Sequence, residues 1–295
     1  MTDPQLPALM AERRQLINLA YRLLGSLAEA EDVAQETYAR WYALSEAQRQ
    51  EVATPGAWFT TVAGRICLDL LGSARARRES YVGEWLPEPI PGRSEWRDGR
   101  DPVDPADRVT LDESISMAFL VVLDSMTPAE RVAFVLHDVF RYSFAEIAEV
   151  VGRTPAACRQ LASSARRRID TSRSAPSGER AKVVHDFKQA WETKDIEALI
   201  GLLDPEATAT ADGGGLALAF LEPMQGGEAI AHAWTEIASR GTPVTLLERT
   251  VNGQPGLVGE IDGTVVSVYA FDIADGRITR IWAIRNPEKL RHWTA

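Results

Sequence analysis

The first 176 residues of this 295-residue chain contain no lysine; every basic group there is an arginine. Cysteine is almost missing too. Cys67 and Cys158 lie far apart, and neither has a second Cys or a His at metal-ligand spacing. That excludes a disulfide scaffold and a structural zinc site, and fits reduced thiols. No stretch approaches the roughly 18 apolar residues a membrane helix needs. The N-terminus MTDPQLPALMAERRQ lacks the basic flank and apolar core of a secretory signal. The expectation is a soluble cytoplasmic protein with no membrane partner. Apolar residues at 45% and charged residues at 25% exclude wholesale disorder, and the length allows two or three domains.

An excess of positive charge is also lacking. The net charge of −10 argues against tight nucleic-acid binding by the chain alone. The deficit is uneven, however. Residues 1–80 carry 9 basic and 10 acidic groups and residues 111–176 carry 8 of each, whereas residues 177–295 carry 11 against 17. Arginines gather at the ends of expected helices, as Arg75, Arg77 and Arg78 and as Arg166, Arg167 and Arg168. Arginine suits bidentate contact with phosphate and guanine; a solvated surface is the bland alternative for each cluster.

Helix signals fill the first 176 residues. Ser26 with Glu29, Thr127 with Glu130 and Ser143 with Glu146 read as capping boxes, while Thr54-Pro55 and Thr154-Pro155 read as caps with proline at the first helical position. Residues 81–110 break the pattern with Pro87, Pro89, Pro91, Pro102 and Pro105 among acidic residues, which predicts an extended linker. Trp85 and Trp96 do not suit a plain spacer, so one or both should dock on something. After a polar joint near TSRSAPSGER, helical patterns at Val183–Trp191 and Ile230–Ile237 precede four β-prone segments. These are Thr242–Thr250, Gly256–Ile261, Thr264–Asp272 and Arg277–Arg285, with hairpin turns at Asp262-Gly263 and Asp275-Gly276. Helices followed by an antiparallel meander predict a separate α+β domain over residues 177–295.

The strongest local signal runs from Phe144 to Ile169, where Ile147, Ala148, Gly152, Thr154-Pro155, Cys158 and Leu161 fall at helix-turn-helix offsets. Ala157, Leu161, Ala165 and Ile169 are expected inward. Arg159, Gln160, Ser163, Ser164, Arg166 and Arg167 are expected outward, with Arg159 and Arg167 two turns apart on the outer face. An ordinary helical hairpin is the alternative.

LINLAYRLLGSLAEAEDVAQETYARWY then resembles region 2 of bacterial sigma factors of the extracytoplasmic-function type. The resemblance implies that Asp32, Gln35 and Glu36 lie on the helix that docks on the β′ clamp of core RNA polymerase. It places Trp58, Phe59, Arg65, Asp69 and Arg75 in the segment that melts and reads the −10 promoter element. Aromatic faces can stack on unpaired bases and arginines can grip a single strand, which agrees. The helix-turn-helix becomes region 4, reading the −35 element through Arg159, Gln160, Ser163, Arg166 and Arg167. The implied organisation is region 2 over 1–80, the linker over 81–110, region 4 over 111–172 and a regulatory domain over 177–295.

WLPEP at Trp85–Pro89, DGGG at Asp212–Gly215 and NPEKL at Asn286–Leu290 resemble three marks of one subgroup, whose members fuse a SnoaL-like domain of the nuclear-transport-factor-2-like superfamily to the C-terminus. The resemblance implies two all-α sigma domains followed by an α+β domain, and a sigma factor without catalysis, cofactor, metal or dedicated anti-sigma protein. Trp85, Leu86 and Pro87 are expected to pack near Asp212, Gly213, Gly214 and Gly215 and near Asn286 and Pro287. Two alternatives stay open. SnoaL-like folds include cyclases and isomerases with Asp–His chemistry, and His185, Asp212 and His232 are available; equally, the C-terminal domain could sense a small molecule.

Overall fold

The structure, a computed structural model, describes residues 6–79, 81–92, 115–169, 177–240 and 244–293, with the side chains of residues 6–11, 74–79 and 240 left aside. Trp96, Pro102 and Pro105 of the linker, and the side chain of Arg75, lie outside the described residues. The described chain forms two compact units: one from residues 6–79 and 120–169, the other from residues 81–92, 115–119 and 177–293.

The first unit is all helical. Helices α1 (Leu6–Leu24), α2 (Leu27–Ala43), α3 (Glu46–Glu51) and α4 (Pro55–Glu79) come first. Ser26 caps α2 by accepting from the Glu29 amide, as its sequence spacing predicts. Leu16, Ile17, Ala20, Leu23 and Leu24 of α1 bury against Leu27, Val33 and Ala34 of α2 and against Ala63, Ile66 and Cys67 of α4. Small residues at the crossings let the three helices approach closely. Helix α5 (Met117–Asp124) leads to α6 (Pro128–Phe134), a π-helical turn at Val135–Val139, α7 (Phe144–Val151) and α8 (Pro155–Arg166).

Both capping boxes expected here form, Thr127 with Glu130 and Ser143 with Glu146, and Thr154 caps α8. Gly152 ends α7 in the left-handed region. The inward face of α8 departs from expectation in part: Cys158 and Ala165 are inward as expected, but Ala162 takes the place of Leu161. Cys158, Ala162 and Ala165 are buried, whereas Ala157, Leu161 and Ile169 are only half-buried. Small side chains make this close contact, so the larger Leu161 misleads a reading based on size.

The second unit is α+β. Helices α9 (Ser177–Thr193) and α10 (Ile196–Leu202) precede β1 (Leu203–Asp212) and β2 (Met224–Gln225); α11 (Gly227–Arg240) follows. Then come β3 (Thr245–Val251), β4 (Gln254–Ile261), β5 (Thr264–Ala274) and β6 (Arg277–Ile284), and a 3-10 turn at Pro287–Lys289. The sheet order is β2-β1-β6-β5-β4-β3. Three hairpins turn through Asn252-Gly253, Asp262-Gly263 and Asp275-Gly276, each with two consecutive positive φ angles, the geometry that matches strand twist.

The sequence reading missed β1, which pairs in parallel with β6 and so breaks the expected order of helices first and meander after. Its Ala207, Ala209 and Ala211 face the core in strict alternation, but alanine is a poor strand former. Phe187 and Trp191 of α9, Trp234 of α11 and Tyr269 and Phe271 of β5 fill the space between helices and sheet. The Trp191 indole donates to the carbonyl of Trp234.

Candidate nucleic-acid interface and linker clamp

On α2, Asp32, Gln35 and Glu36 are all exposed, with i, i+3, i+4 spacing that puts them on one face opposite buried Val33, Ala34 and Thr37. Glu36 is paired with Arg40 one turn later at 2.9 Å. An acidic and polar face of this kind fits a protein partner rather than a phosphate backbone.

At the start of α4 the aromatic residues divide. Trp58 is half-buried and meets Trp41 edge-on at a 5.0 Å centroid distance, and Tyr42 beyond it is well exposed. Phe59 is 2% exposed, wedged among Tyr38, Trp41 and Trp58. This corrects the expectation that Phe59 contacts the −10 strand: a ring enclosed on its faces is core and has no surface to offer a base. Arg65 and Asp69, four residues apart, are both exposed. The Arg65 guanidinium donates to the backbone carbonyl of Glu149 on α7, from Nη2 at 2.8 Å and Nε at 3.3 Å.

Gln160 and Ser163 on α8, and Arg167 at its C-cap, are exposed and lie opposite the buried Cys158–Ala162–Ala165 stripe. Arg159 and Arg166 share one flank, since seven residues bring a helix back to within about 20°. Arg167, eight residues on, is about 80° away from Arg159, so the expected pairing of Arg159 with Arg167 is replaced by Arg159 with Arg166. Arg166 is clasped by Asp138 through Nε and Nη2 at 2.7 and 3.0 Å, which raises the guanidinium pKa. Ser164 points sideways and donates to Glu130. Burial pushes the thiols of Cys67 and Cys158 up from their ordinary value, which favours the protonated form.

The second unit holds residues 81–92 against itself. Asp212, at the end of β1, is completely buried, and its carboxylate accepts from the Tyr81 hydroxyl at 2.7 Å, the Leu86 amide at 2.9 Å and the Lys289 ammonium at 2.6 Å. Lys289 also donates to the Leu86 carbonyl, and its charge sits 4.2 Å from the centre of the Trp85 ring. The Asn286 amide donates to the Tyr81 oxygen, and Asp212 receives the Arg285 and Asn286 amides on its own carbonyl.

Gly214 completes the arrangement. At φ +59° it avoids the strain a side chain would bring, and a Cβ there would sit 2.3 Å from Asn286 Nδ2. Gly213 is similarly crowded, against the Ala217 carbonyl, while a Cβ on Gly215 would come only within 3.2 Å of Val82. Pro287 opens the 3-10 turn that delivers Lys289, with Asn286 as its cap.

Farther along, Leu86 to Gly92 are buried. The Ile90 amide donates to Asn252 Oδ1, the Asn252 amide to the Ile90 carbonyl, and Asn252 Nδ2 to the Ile115 carbonyl. Trp293 donates to the Pro89 carbonyl, and His292 lies 3.5 Å from buried Glu88. Tyr81, Asn252, Lys289 and Trp293 are contacts that reading the sequence missed. Asn252-Gly253 between two strand-like runs carried a turn signal; nothing in the sequence shows that the turn's side chain serves the linker.

His185 and His232 are both exposed, and His185 pairs with Glu248 at 2.8 Å. Asp212 is engaged by Tyr81, Leu86 and Lys289 rather than by a histidine. Among the described residues no group of three or more His, Cys, Asp or Glu could hold a metal ion, and no helix is long and apolar enough to cross a membrane.

Two helical modules, one carrying a helix-turn-helix with a polar outer face, together with an α+β domain, define a multidomain DNA-reading transcription factor. Family models described as Sigma-70 region 2 and Sigma-70, region 4 match residues 9–77 and 116–169. The chain is 37% identical to the ECF RNA polymerase sigma factor SigJ of Mycobacterium tuberculosis, over 95% of this chain and 91% of that one. It is 35% identical to the probable ECF RNA polymerase sigma factor SigI of the same species, over 98% and 95%. The crystal structure of M. tuberculosis SigJ superimposes with a TM-score of 0.77 at 34% identity, covering 97% of this chain and 98% of that one. The chain belongs to the extracytoplasmic-function RNA polymerase sigma factors.

Proposed function

We propose that the chain docks on core RNA polymerase through Asp32, Gln35 and Glu36, and reads the −10 element with Trp58, Arg65, Asp69 and Arg75 and the −35 element with α8. The observation that carries this is the exposed face of α8, where Gln160, Ser163 and Arg167, flanked by Arg159 and Arg166, stand opposite a buried stripe of small residues. Such a face enters a major groove. The overall charge of −10 leaves the grip on phosphate to the polymerase.

Engaging both elements requires the first unit to open. The elements are centred about 25 base pairs apart, which is roughly 85 Å of duplex at 3.4 Å per step. Arg65 on α4 and Glu149 on α7 are in hydrogen-bond contact, so one closed body cannot serve both. The Asp212–Lys289 clamp on the linker then supplies control from within the chain, in place of a dedicated anti-sigma protein. No catalytic role is assigned to the α+β domain, because the linker engages the carboxylate that such chemistry would use.

In vitro transcription from a promoter library, with core polymerase, tests the reading. Sequence-dependent initiation is expected with core enzyme present, together with only weak duplex binding by the protein alone at physiological salt. Tight, sequence-specific gel shifts without core enzyme would overturn the division of labour.

A further inference from the structure

We propose that the π-helical turn at Val135–Val139 sets the two flank arginines of α8, with Phe144 acting as the positioning residue for base reading by Arg159. The proposal rests on the reading that α8 enters the groove of the −35 element.

A π turn is rare and frequent at functional sites. Here it is followed by Arg141 at φ 64°, a left-handed conformation uncommon for a residue with a side chain. The Phe140 amide reaches back to Val135 and the Tyr142 amide to Leu136. Together these features swing the chain so that the rings of His137 and Phe144 stack at 4.1 Å and 25°. His137 Nδ1 lies 2.9 Å from the Tyr142 carbonyl. A carbonyl only accepts, so Nδ1 carries the proton and the imidazole plane is fixed.

The Arg159 guanidinium carbon also lies over the Phe144 ring, 5.1 Å from its centroid. Phe144 therefore contacts both His137 and Arg159 through its ring. Stacking uses the face of a guanidinium and leaves its N–H edges directed outward, which is what bidentate contact with guanine O6 and N7 requires. Asp138, the next residue of the same turn, holds Arg166 by Nε and Nη2. Two consecutive residues of one turn thus fix two arginines about 10 Å apart on one flank of α8. Both arginines are exposed, so neither arrangement fills a core. Its use is to order, before DNA arrives, side chains that would otherwise lose conformational freedom on binding.

The test is transcription by the full-length protein with core polymerase from templates randomised across the −35 element, reading base preference position by position. Arg159→Ala should flatten the preference at one or two positions by about 5- to 10-fold. Phe144→Leu, similar in bulk but without a ring face, should flatten the same positions while leaving preference elsewhere intact. Phe144→Tyr should retain the preference. A role in fold stability alone would lower transcription from all templates alike.

If Phe144→Leu loses the cooperative melting of the protein, His137→Ala replaces it, with partial flattening expected at the same positions. Flattening by Arg159→Ala with no position-specific effect of Phe144→Leu, or of His137→Ala in its place, overturns the positioning role. No flattening by Arg159→Ala overturns the base-reading assignment beneath it, and the proposal falls with it, so the two failures are distinguishable.

Discussion

Arg65 on α4 donates from Nη2 to the backbone carbonyl of Glu149 on α7, 2.8 Å away. An arginine expected to grip the −10 strand is thereby held by the first helix of the helix-turn-helix. Beside it, a Cβ on Gly64 would come within 2.7 Å of Val150 Cγ1, so the two helices touch where glycine permits it. The Tyr142 hydroxyl shares a hydrogen bond with Thr60 at 2.7 Å and accepts another from Gln15 at 3.0 Å. Tyr142→Phe removes both while keeping the ring. With a net worth of about 1 kcal/mol for each bond, the loss of both should shift closed against open states roughly 30-fold toward open. Spin labels at Ala39→Cys and Arg153→Cys would report a larger share of long distances in the variant. An unchanged distance distribution would show that these bonds do not hold the modules together.

Trp58 and Phe59 should separate cleanly on substitution. Phe59→Ala leaves a cavity among Tyr38, Trp41 and Trp58 and should cost about 3–5 kcal/mol of stability, seen as a lowered melting temperature. Trp58→Ala loses a half-buried ring and should cost less stability. If its face stacks on an unpaired base, it should lower promoter opening, measured by permanganate footprinting, by about 5- to 100-fold. Equal effects of the two changes on melting temperature, with no footprinting defect in Trp58→Ala, would place Trp58 in the core as well.

Helix ends were legible because caps are local. Ser143, Glu146, Thr127, Glu130 and Thr154 each act on an amide within three residues, and the structure forms every one of those bonds. The hairpin turns at Asp262 and Asp275 were legible for the same reason. What stayed hidden is long-range. The regular half of β1, from Ala207 to Ala211, alternates alanine and threonine, and its strand pairing comes from β6, about 70 residues later. Phe59 looked like its neighbour Trp58 because adjacent helical residues differ in direction by about 100°, and only packing tells which of the two points inward. DGGG and NPEKL could be named, but the residue of NPEKL that meets the Asp212 carboxylate is Lys289, which no periodicity singles out.

The Asp212–Lys289 pair should behave as a buried ion pair. Lys289→Met leaves an uncompensated carboxylate with a completely buried side chain, a change that typically costs about 3–5 kcal/mol. Release of the linker should become roughly 100-fold more frequent or greater. Limited proteolysis within residues 81–92 would read this as faster cleavage than in the unaltered protein. Adding Asp212→Asn to Lys289→Met removes the stranded charge and should recover part of the protection. If the double variant is cleaved no more slowly than Lys289→Met, the pair does not account for the linker's attachment.

Tyr81 gives the clamp a dependence on alkaline pH. Burial, and then the hydrogen bond to Asp212, push its phenol well above the ordinary value of 10.0. The unfolded chain releases this proton near pH 10, while the folded state holds it to higher pH. Stability from the group is therefore whole below about pH 10 and falls as pH rises through the window above it. Thermal melting of the full-length protein should drop more steeply between about pH 9.5 and 11 than that of Tyr81→Phe. The variant should start lower at pH 8, having lost the bonds to Asp212 and Asn286. Asp212, Glu288 and Lys289, the charged groups around the ring, are present in both proteins, so the difference between the two curves isolates the phenol. Parallel curves across that range would mean that Tyr81 ionises as freely in the folded protein as in the unfolded chain, and that its hydroxyl is not held as the structure places it.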